Sequence, residues 1–355
     1  MDFSRYIRQI SLKEFGVKSQ EKLHNSKVLV IGLGGLGIPV IQYLNAMGVG
    51  TLGLVEFDKI ELHNLQRQVI YKENDLGKKK IDVVIKLLSK QNSKTKIIPY
   101  RTDLNTKNAI EIIRKFDLVV DATDNFPTRY LINDACVILN KVFIYGAIYG
   151  FEGHLSVFNY KNGPTYRCLF PEMPESNEVP NCDENGVLGI IPGIVGCNQA
   201  IEAVKILTDL GDVMSGELWI YDGLIQNIQK FKIKIDQKNK NIRKLKTTYN
   251  NNYCDISNSI HCEDFIKIQT DKKHLIIDVR TKEEFNSFNI NNSKNIPFDK
   301  ILDIEKSNID GKEIYLICKT GKRSLKALEI LKENYPNVKL KSIIGGIVKY
   351  KTLCH

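Results

Sequence analysis

The chain has 355 residues, 43% of them hydrophobic and 26% charged, with a formal net charge of +10. That is enough apolar material for a sizeable core and enough length for two domains. The opening MDFSRYIRQI is charged and lacks an apolar stretch of signal-peptide length, no later run approaches membrane-spanning length, and the cytoplasm is the expected location, while eight scattered cysteines without a CxxC pair read as reduced thiols.

From Lys27 onward short apolar runs alternate with helical patterns, as expected of a parallel sheet wrapped by helices. VLVIGLG predicts a strand, followed by a helix through Tyr43 and Leu44. TLGLVEFD predicts a second strand, KKKIDVVIKLLSK an amphipathic helix, and KIIPY, FDLVVDAT and VFIYGAI further strands. Between Glu152 and Tyr160 apolar and polar residues roughly alternate, which predicts antiparallel strands. GVLGIIPGIVGCNQAIEAVKIL then reads as a long buried helix.

The dense run Lys230 to Lys246 alternates with Asn, Gln and Ile and reads as a solvated connector, not as a nucleic-acid surface. A polar stretch from about Asp236 to Tyr253 has few large apolar residues and is the expected linker. Beyond it the pattern restarts with HLIIDVR, a charged helix at KEEFNSF, IYLICKTG, a helix beginning near Arg323, and LKSIIGG. The expected division is a first domain over 1–235, a linker over 236–254 and a smaller α/β domain over 255–355.

The first strand runs into Gly32-Leu33-Gly34-Gly35-Leu36-Gly37, and Glu56 ends the next strand. Glycines let a backbone approach phosphate and aim helix N-terminal N–H groups at it, and the carboxylate can accept from ribose hydroxyls. This much fits a nicotinamide dehydrogenase, a flavoprotein or an ATP enzyme. The stretch that follows discriminates: Asn64-Leu65-Gln66-Arg67-Gln68, Gly77 to Lys80, and Asp121-Ala122-Thr123-Asp124-Asn125 with Arg129. Arg and Lys donors for oxyanions and a carboxylate for Mg²⁺ suit phosphoryl chemistry, whereas a dehydrogenase leaves its pyrophosphate intact.

From Arg5-Tyr6-Ile7-Arg8-Gln9 to about Asp222 these motifs together resemble the MoeB/ThiF-type adenylyltransferases, relatives of the ubiquitin-activating enzymes. The resemblance implies a Rossmann-like adenylyltransferase domain with a mixed sheet, usually assembled as a homodimer, that binds ATP with Mg²⁺. It assigns Gly32, Gly34, Gly35 and Gly37 to the nucleotide turn and Glu56, where the family usually has Asp, to ribose. Asn64, Arg67 and Lys80 match phosphate contacts, Asp124 beside Asn125 matches the Mg²⁺-linked catalytic carboxylate, and Arg8 an arginine that reaches the nucleotide of a neighbouring subunit. The implied reaction is adenylation of the C-terminal glycine of a ubiquitin-like sulfur-carrier protein.

Pro180 to Gly189 resembles the loop carrying the family's acceptor thiol, here Cys182. Members often hold zinc with two CxxC pairs, but Thr165-Tyr166-Arg167-Cys168 has Thr in place of the first cysteine, so no zinc site is expected and apolar packing should replace it. Leu275 to Arg280, Glu284-Phe285 and Cys318-Lys319-Thr320-Gly321-Lys322-Arg323-Ser324 resemble a rhodanese domain. A cysteine in a short loop leading into a helix N-terminus, with Lys319 and Arg323 nearby, is set up to act as a thiolate and to carry sulfur as a persulfide. Cysteine-dependent phosphatases place one residue more between Cys and Arg, which favours sulfur chemistry here.

The combined expectation is an adenylyltransferase and sulfurtransferase that makes a thiocarboxylate, most simply on the carrier of molybdopterin synthase. A sulfur donor such as a cysteine desulfurase is its implied partner, with neither membrane nor direct nucleic-acid contact. Carriers of thiamine synthesis or tRNA thiolation are the alternatives, and a nicotinamide-dependent oxidoreductase is the rival reading.

Overall fold

The structure, a computed structural model, describes residues 3–174, 186–249, 258–271, 274–304, 312–336 and 338–354. The chain divides into two compact units, Met1–Asn251 and Asn252–His355.

The first unit is built on an eight-stranded sheet of order β3-β2-β1-β4-β5-β6-β7-β8. Strands β1 (Lys27–Ile31), β2 (Thr51–Val55), β3 (Lys96–Tyr100), β4 (Leu118–Asp121) and β5 (Val142–Tyr149) are parallel. Strands β6 (Glu152–Phe158), β7 (Glu217–Asp222) and β8 (Asn227–Lys232) continue antiparallel. The expected antiparallel turn after Glu152 is thus present, and the sheet is mixed. Neither β7 nor β8 was read from the sequence; β8 is exposed along its whole length and so carries no hydrophobic period.

Alternation of side chains sends Val28 and Val30 to one core and Leu29 and Ile31 to the other, so β1 is buried on both faces. One core includes α3 (Gly37–Ala46), α4 (Lys80–Gln91) and α8 (Ile191–Thr208). The other includes α5 (Ala109–Arg114), α6 (Phe126–Ile138) and the short α7 (Tyr166–Leu169). α1 (Ile7–Ile10) and α2 (Gly16–Asn25) precede the sheet. The strand order reverses between β1 and β4, and at such a switch point the loops after neighbouring strands part to leave a crevice.

Residues 236–249, expected as a connector, lie against the first unit. Asn239 Nδ2 donates to the Arg167 carbonyl at 3.0 Å, Leu245 packs on the second core, and the buried Tyr249 donates its hydroxyl to Asp134 Oδ2 at 2.7 Å. A few spaced apolar and hydrogen-bonding anchors suffice, which average composition does not register.

The second unit carries a parallel five-stranded sheet of order β11-β10-β12-β13-β9. Its strands are β9 (Ser259–His261), β10 (His274–Asp278), β11 (Lys294–Asn295), β12 (Glu313–Ile317) and β13 (Lys339–Ile344). Its helices are α9 (Cys262–Ile268), α10 (Lys282–Ser287), α11 (Lys322–Asn334) and α12 (Gly346–Cys354). Among the described residues no helix is long and apolar enough to cross a membrane.

Candidate active sites

The first site is the crevice at the switch point. Gly32 leaves β1 with φ +93°, a left-handed conformation that favours glycine, and a Cβ on Gly37 would stand 2.0 Å from the Gly32 carbonyl oxygen. The close approach of those two glycines folds the turn so that α3 starts directly beneath it. Glu56, buried at the end of β2, accepts from the backbone N–H of Leu33 at 2.9 Å, Phe57 at 2.8 Å and Asp58 at 2.9 Å. Its carboxylate therefore ties the glycine turn to the next loop.

Gly32, Gly34, Glu56, Lys80, Asp124 and Asn125 share the wall of one cleft of about 120 Å³. Lys80 reaches it from the start of α4, nearly buried, with its ammonium 3.0 Å from Asp58 Oδ2. Asp124, also on the wall, is exposed, and Asn125 caps α6 by accepting from Thr128 N–H at 3.0 Å. Behind Asp124 lies a polar brace. Asp121, fully buried, accepts from Thr123 N–H at 3.0 Å and Oγ1 at 2.6 Å, and Arg129 Nη2 donates to the Thr123 carbonyl at 2.9 Å. Burial pushes the Asp121 carboxyl above the usual range, against the opposing pull of Arg129.

Other expected residues stand off the cleft wall. Gly35 would bring a Cβ to 3.0 Å of Pro192, so it makes room for α8. Asn64, buried, accepts from Glu61 N–H at 3.0 Å, and Arg67 donates to the His63 carbonyl at 3.0 Å. Arg8 is exposed on α1. Residues not singled out from sequence also line the cleft: Asp58, Thr102, Asp103 and Gln68, the last quoted only as part of its motif. Among the described residues Gln68 Oε1 is buried without a hydrogen-bond partner.

Around Tyr166 and Arg167, in the stretch read above for zinc, the structure shows side-chain contacts. Arg167 donates to Asp134 at 2.7 and 2.9 Å, and the Tyr166 ring lies 5.1 Å from both the Tyr130 and Phe170 rings. Apolar packing was the expectation; the structure adds a buried ion pair, because Asp134 needs charge-assisted partners once out of water. Among the described residues no group of three or more His, Cys, Asp or Glu could hold a metal ion. Cys182 and Cys254 lie outside the described residues.

The second site is the loop from β12 to α11. Cys318 is buried, and its sulfur accepts from Gly321 N–H at 3.1 Å, where Gly321 takes φ +98° to turn the loop into the helix. Ser324 Oγ lies 3.6 Å from the same sulfur. Arg323 makes a bidentate pair with Glu284 at 2.7 and 2.8 Å, which holds the Glu284 carboxyl at about 2, well below its ordinary value. The loop is backed by α12, whose Ile347 and Val348 N–H groups donate to the carbonyls of Cys318 at 2.9 Å and Lys319 at 3.1 Å.

Comparison with known proteins gives a family match for each unit. The sequence model of the ThiF family matches residues 6–244, and that of the rhodanese-like domain matches residues 261–353. The adenylyltransferase and sulfurtransferase MOCS3-1 of Zea mays is 37% identical over 97% of this chain and 80% of its own length. The adenylyltransferase and sulfurtransferase MOCS3 of Xenopus laevis is 37% identical over 98% of this chain and 86% of its own length. Among solved structures, E. coli MccB with ATP matches with a TM-score of 0.59 at 22% identity, covering 66% of this chain and 73% of that one, a likeness of fold. On this evidence the chain belongs to the ThiF family and carries a rhodanese-like domain after its ThiF domain.

Proposed function

We propose that this protein is an ATP-dependent adenylyltransferase and sulfurtransferase that converts the C-terminal glycine of a ubiquitin-like sulfur-carrier protein to a thiocarboxylate. The observation that carries the reading is one cleft with the glycine turn, Lys80 and Asp124 on its wall, in the same chain as a Cys318 loop that leads into a helix. The cleft suits a nucleotide. Gly34 leaves its wall open, with Gln68 Nε2 at 3.7 Å the nearest atom to a Cβ position, and Gln68 Oε1 offers an unspent acceptor for a ribose or base donor.

Lys80, with Asn64 and Arg67 on the adjoining loop, offsets the repulsion between the carrier's carboxylate and the triphosphate. The carboxylate oxygen then bonds to the α-phosphorus, and pyrophosphate leaves with the electrons of the broken P–O bond. Asp124 would hold Mg²⁺, which supplies further charge neutralisation. Glu56 keeps the turn in shape through its three N–H contacts and retains capacity to accept from ribose. Arg8, which does not line its own cleft, fits a role in the cleft of a second subunit of a homodimer.

Sulfur reaches Cys318 as a persulfide from a donor such as a cysteine desulfurase. The terminal sulfur bonds to the acyl carbon and AMP leaves. A second thiol, which we assign to Cys182, attacks the Cys318 sulfur and releases the thiocarboxylate, leaving a disulfide that a thiol reductant reopens. The carrier of molybdopterin synthase is our proposed substrate, and carriers of thiamine synthesis or tRNA thiolation are the other outcomes of a carrier screen.

The test is carrier-dependent exchange of labelled pyrophosphate into ATP. Asp124→Ala should lower it by about a thousandfold or more while leaving the fold intact, since Asp124 is exposed and outside the core. Exchange near the unmodified rate would refute the assignment.

A further inference from the structure

The densest charge in the chain is held in place on a folded surface. Residues 230–246 carry eight Lys or Arg against a single Asp, most of the net charge of +10. The run begins in β8, the end strand of the sheet, which pairs with β7 alone. Further along, Lys240 donates to the Asn162 carbonyl and Asn239 to that of Arg167, and Tyr249 anchors the far end on Asp134. Lys230, Lys232 and Lys234 on or just after the strand are exposed, as are Lys238, Arg243, Lys244 and Lys246 beyond it. Within the described residues none of these makes an ion pair. Self-repulsion along an anchored strip is unfavourable, and an opposite charge relieves it.

Apolar side chains interleave with these cations. Ile228 and Phe231 are each 49% exposed, and the turn leading into β8 presents Leu224 and Ile225. A phosphate backbone is better matched by planar guanidinium forks, and here the run has one Arg among lysines and exposed hydrocarbon between them. Mixed cationic and apolar surface beside an end strand suits a folded protein with an acidic face and an apolar patch.

We propose that β8 and residues 234–246 form the docking surface for the carrier protein, which meets it through an acidic face. This rests on the function proposed above. Charge attraction of this kind acts chiefly on encounter, so it should govern the apparent KM for the carrier and leave the nucleotide chemistry alone.

The test compares the full chain with the triple variant Lys230→Glu, Lys232→Glu, Lys234→Glu in pyrophosphate exchange, using a purified ubiquitin-like carrier that supports exchange by the unmodified chain. The KM for the carrier should rise about tenfold or more, with kcat at saturation and the KM for ATP within about twofold. Raising salt from about 0.05 to about 0.3 M should weaken the unmodified pair and barely affect the variant pair. A second variant outside any strand, Lys238→Glu with Lys244→Glu, should act in the same direction and covers the case in which the triple variant fails to fold. Exchange by the unmodified chain with no ubiquitin-like carrier at all would refute the proposed function. Normal exchange with an unaltered carrier KM in both variants would refute the docking surface. Loss of binding to labelled tRNA at unaltered carrier KM would reassign the strip to nucleic acid and also overturn the proposal.

Discussion

Substituting Asp134→Asn tests whether an ion pair staples residues 236–249 to the first unit. The Asp134 side chain is 3% exposed and that of Arg167 10%. The carboxylate accepts from Arg167 Nε at 2.7 Å and Nη2 at 2.9 Å, from Tyr249 OH at 2.7 Å and from Asn133 Nδ2 at 2.8 Å. An amide in its place leaves the guanidinium buried without a counter-charge, which costs about 3–5 kcal/mol. Tyr249→Phe removes one donor from a carboxylate that keeps its others, at a cost of about 1.5 kcal/mol. Trp219 is the single tryptophan and sits buried in β7, so its fluorescence reports the first unit alone during urea unfolding of the full chain. With a slope of about 3 kcal/mol per molar urea, the midpoint should fall by about 1–1.7 M for Asp134→Asn and about 0.5 M for Tyr249→Phe. A fall below about 0.3 M for Asp134→Asn, or equal shifts for the two variants, would show that the guanidinium finds solvent and that the network is no staple.

Cys318→Ala should abolish thiocarboxylate formation on the carrier and leave pyrophosphate exchange within about twofold, read by intact mass and label exchange; thiocarboxylate at full rate would refute the sulfur role. Arg323 lowers the Glu284 carboxyl from its ordinary 4.5 to about 2, so the stabilisation is complete above 4.5 and is lost as pH falls toward 2. Glu284→Gln should therefore flatten the acid limb of stability of the second unit across that window, measured by hydrogen exchange of the β12 amides in the full chain. An unaltered limb would refute the pair's contribution.

The glycine turn and its link to Glu56 were legible because their features are local: glycines after an apolar strand, and a carboxylate at the end of the next one. Cys318 was legible for the same reason, since strand, loop and helix are contiguous. What the sequence withheld were pairings across distance. Nothing in the spacing says that Lys80 meets Asp58, or that Gln68 rather than Arg67 lines the cleft. The stretch from Asp236 reads as a tether because its composition is polar, yet it is placed by a few spaced anchors, among them Asn239, Leu245 and the buried Tyr249. β8 hid for the opposite reason: an exposed end strand needs no apolar alternation to pair with β7.

The backing of the Cys318 loop by α12 has a practical consequence for anyone handling this protein. Two carbonyls of the loop owe their donors to Ile347 and Val348, and Gly346 stands so close that a Cβ there would meet the Cys318 carbonyl oxygen at 2.3 Å. Trimming residues 346–354, or fusing a tag that pulls on them, therefore acts on the sulfur-bearing loop itself. Loss of sulfurtransferase activity in such a protein would report a dislodged backstop, with the cysteine and every residue of its loop still present.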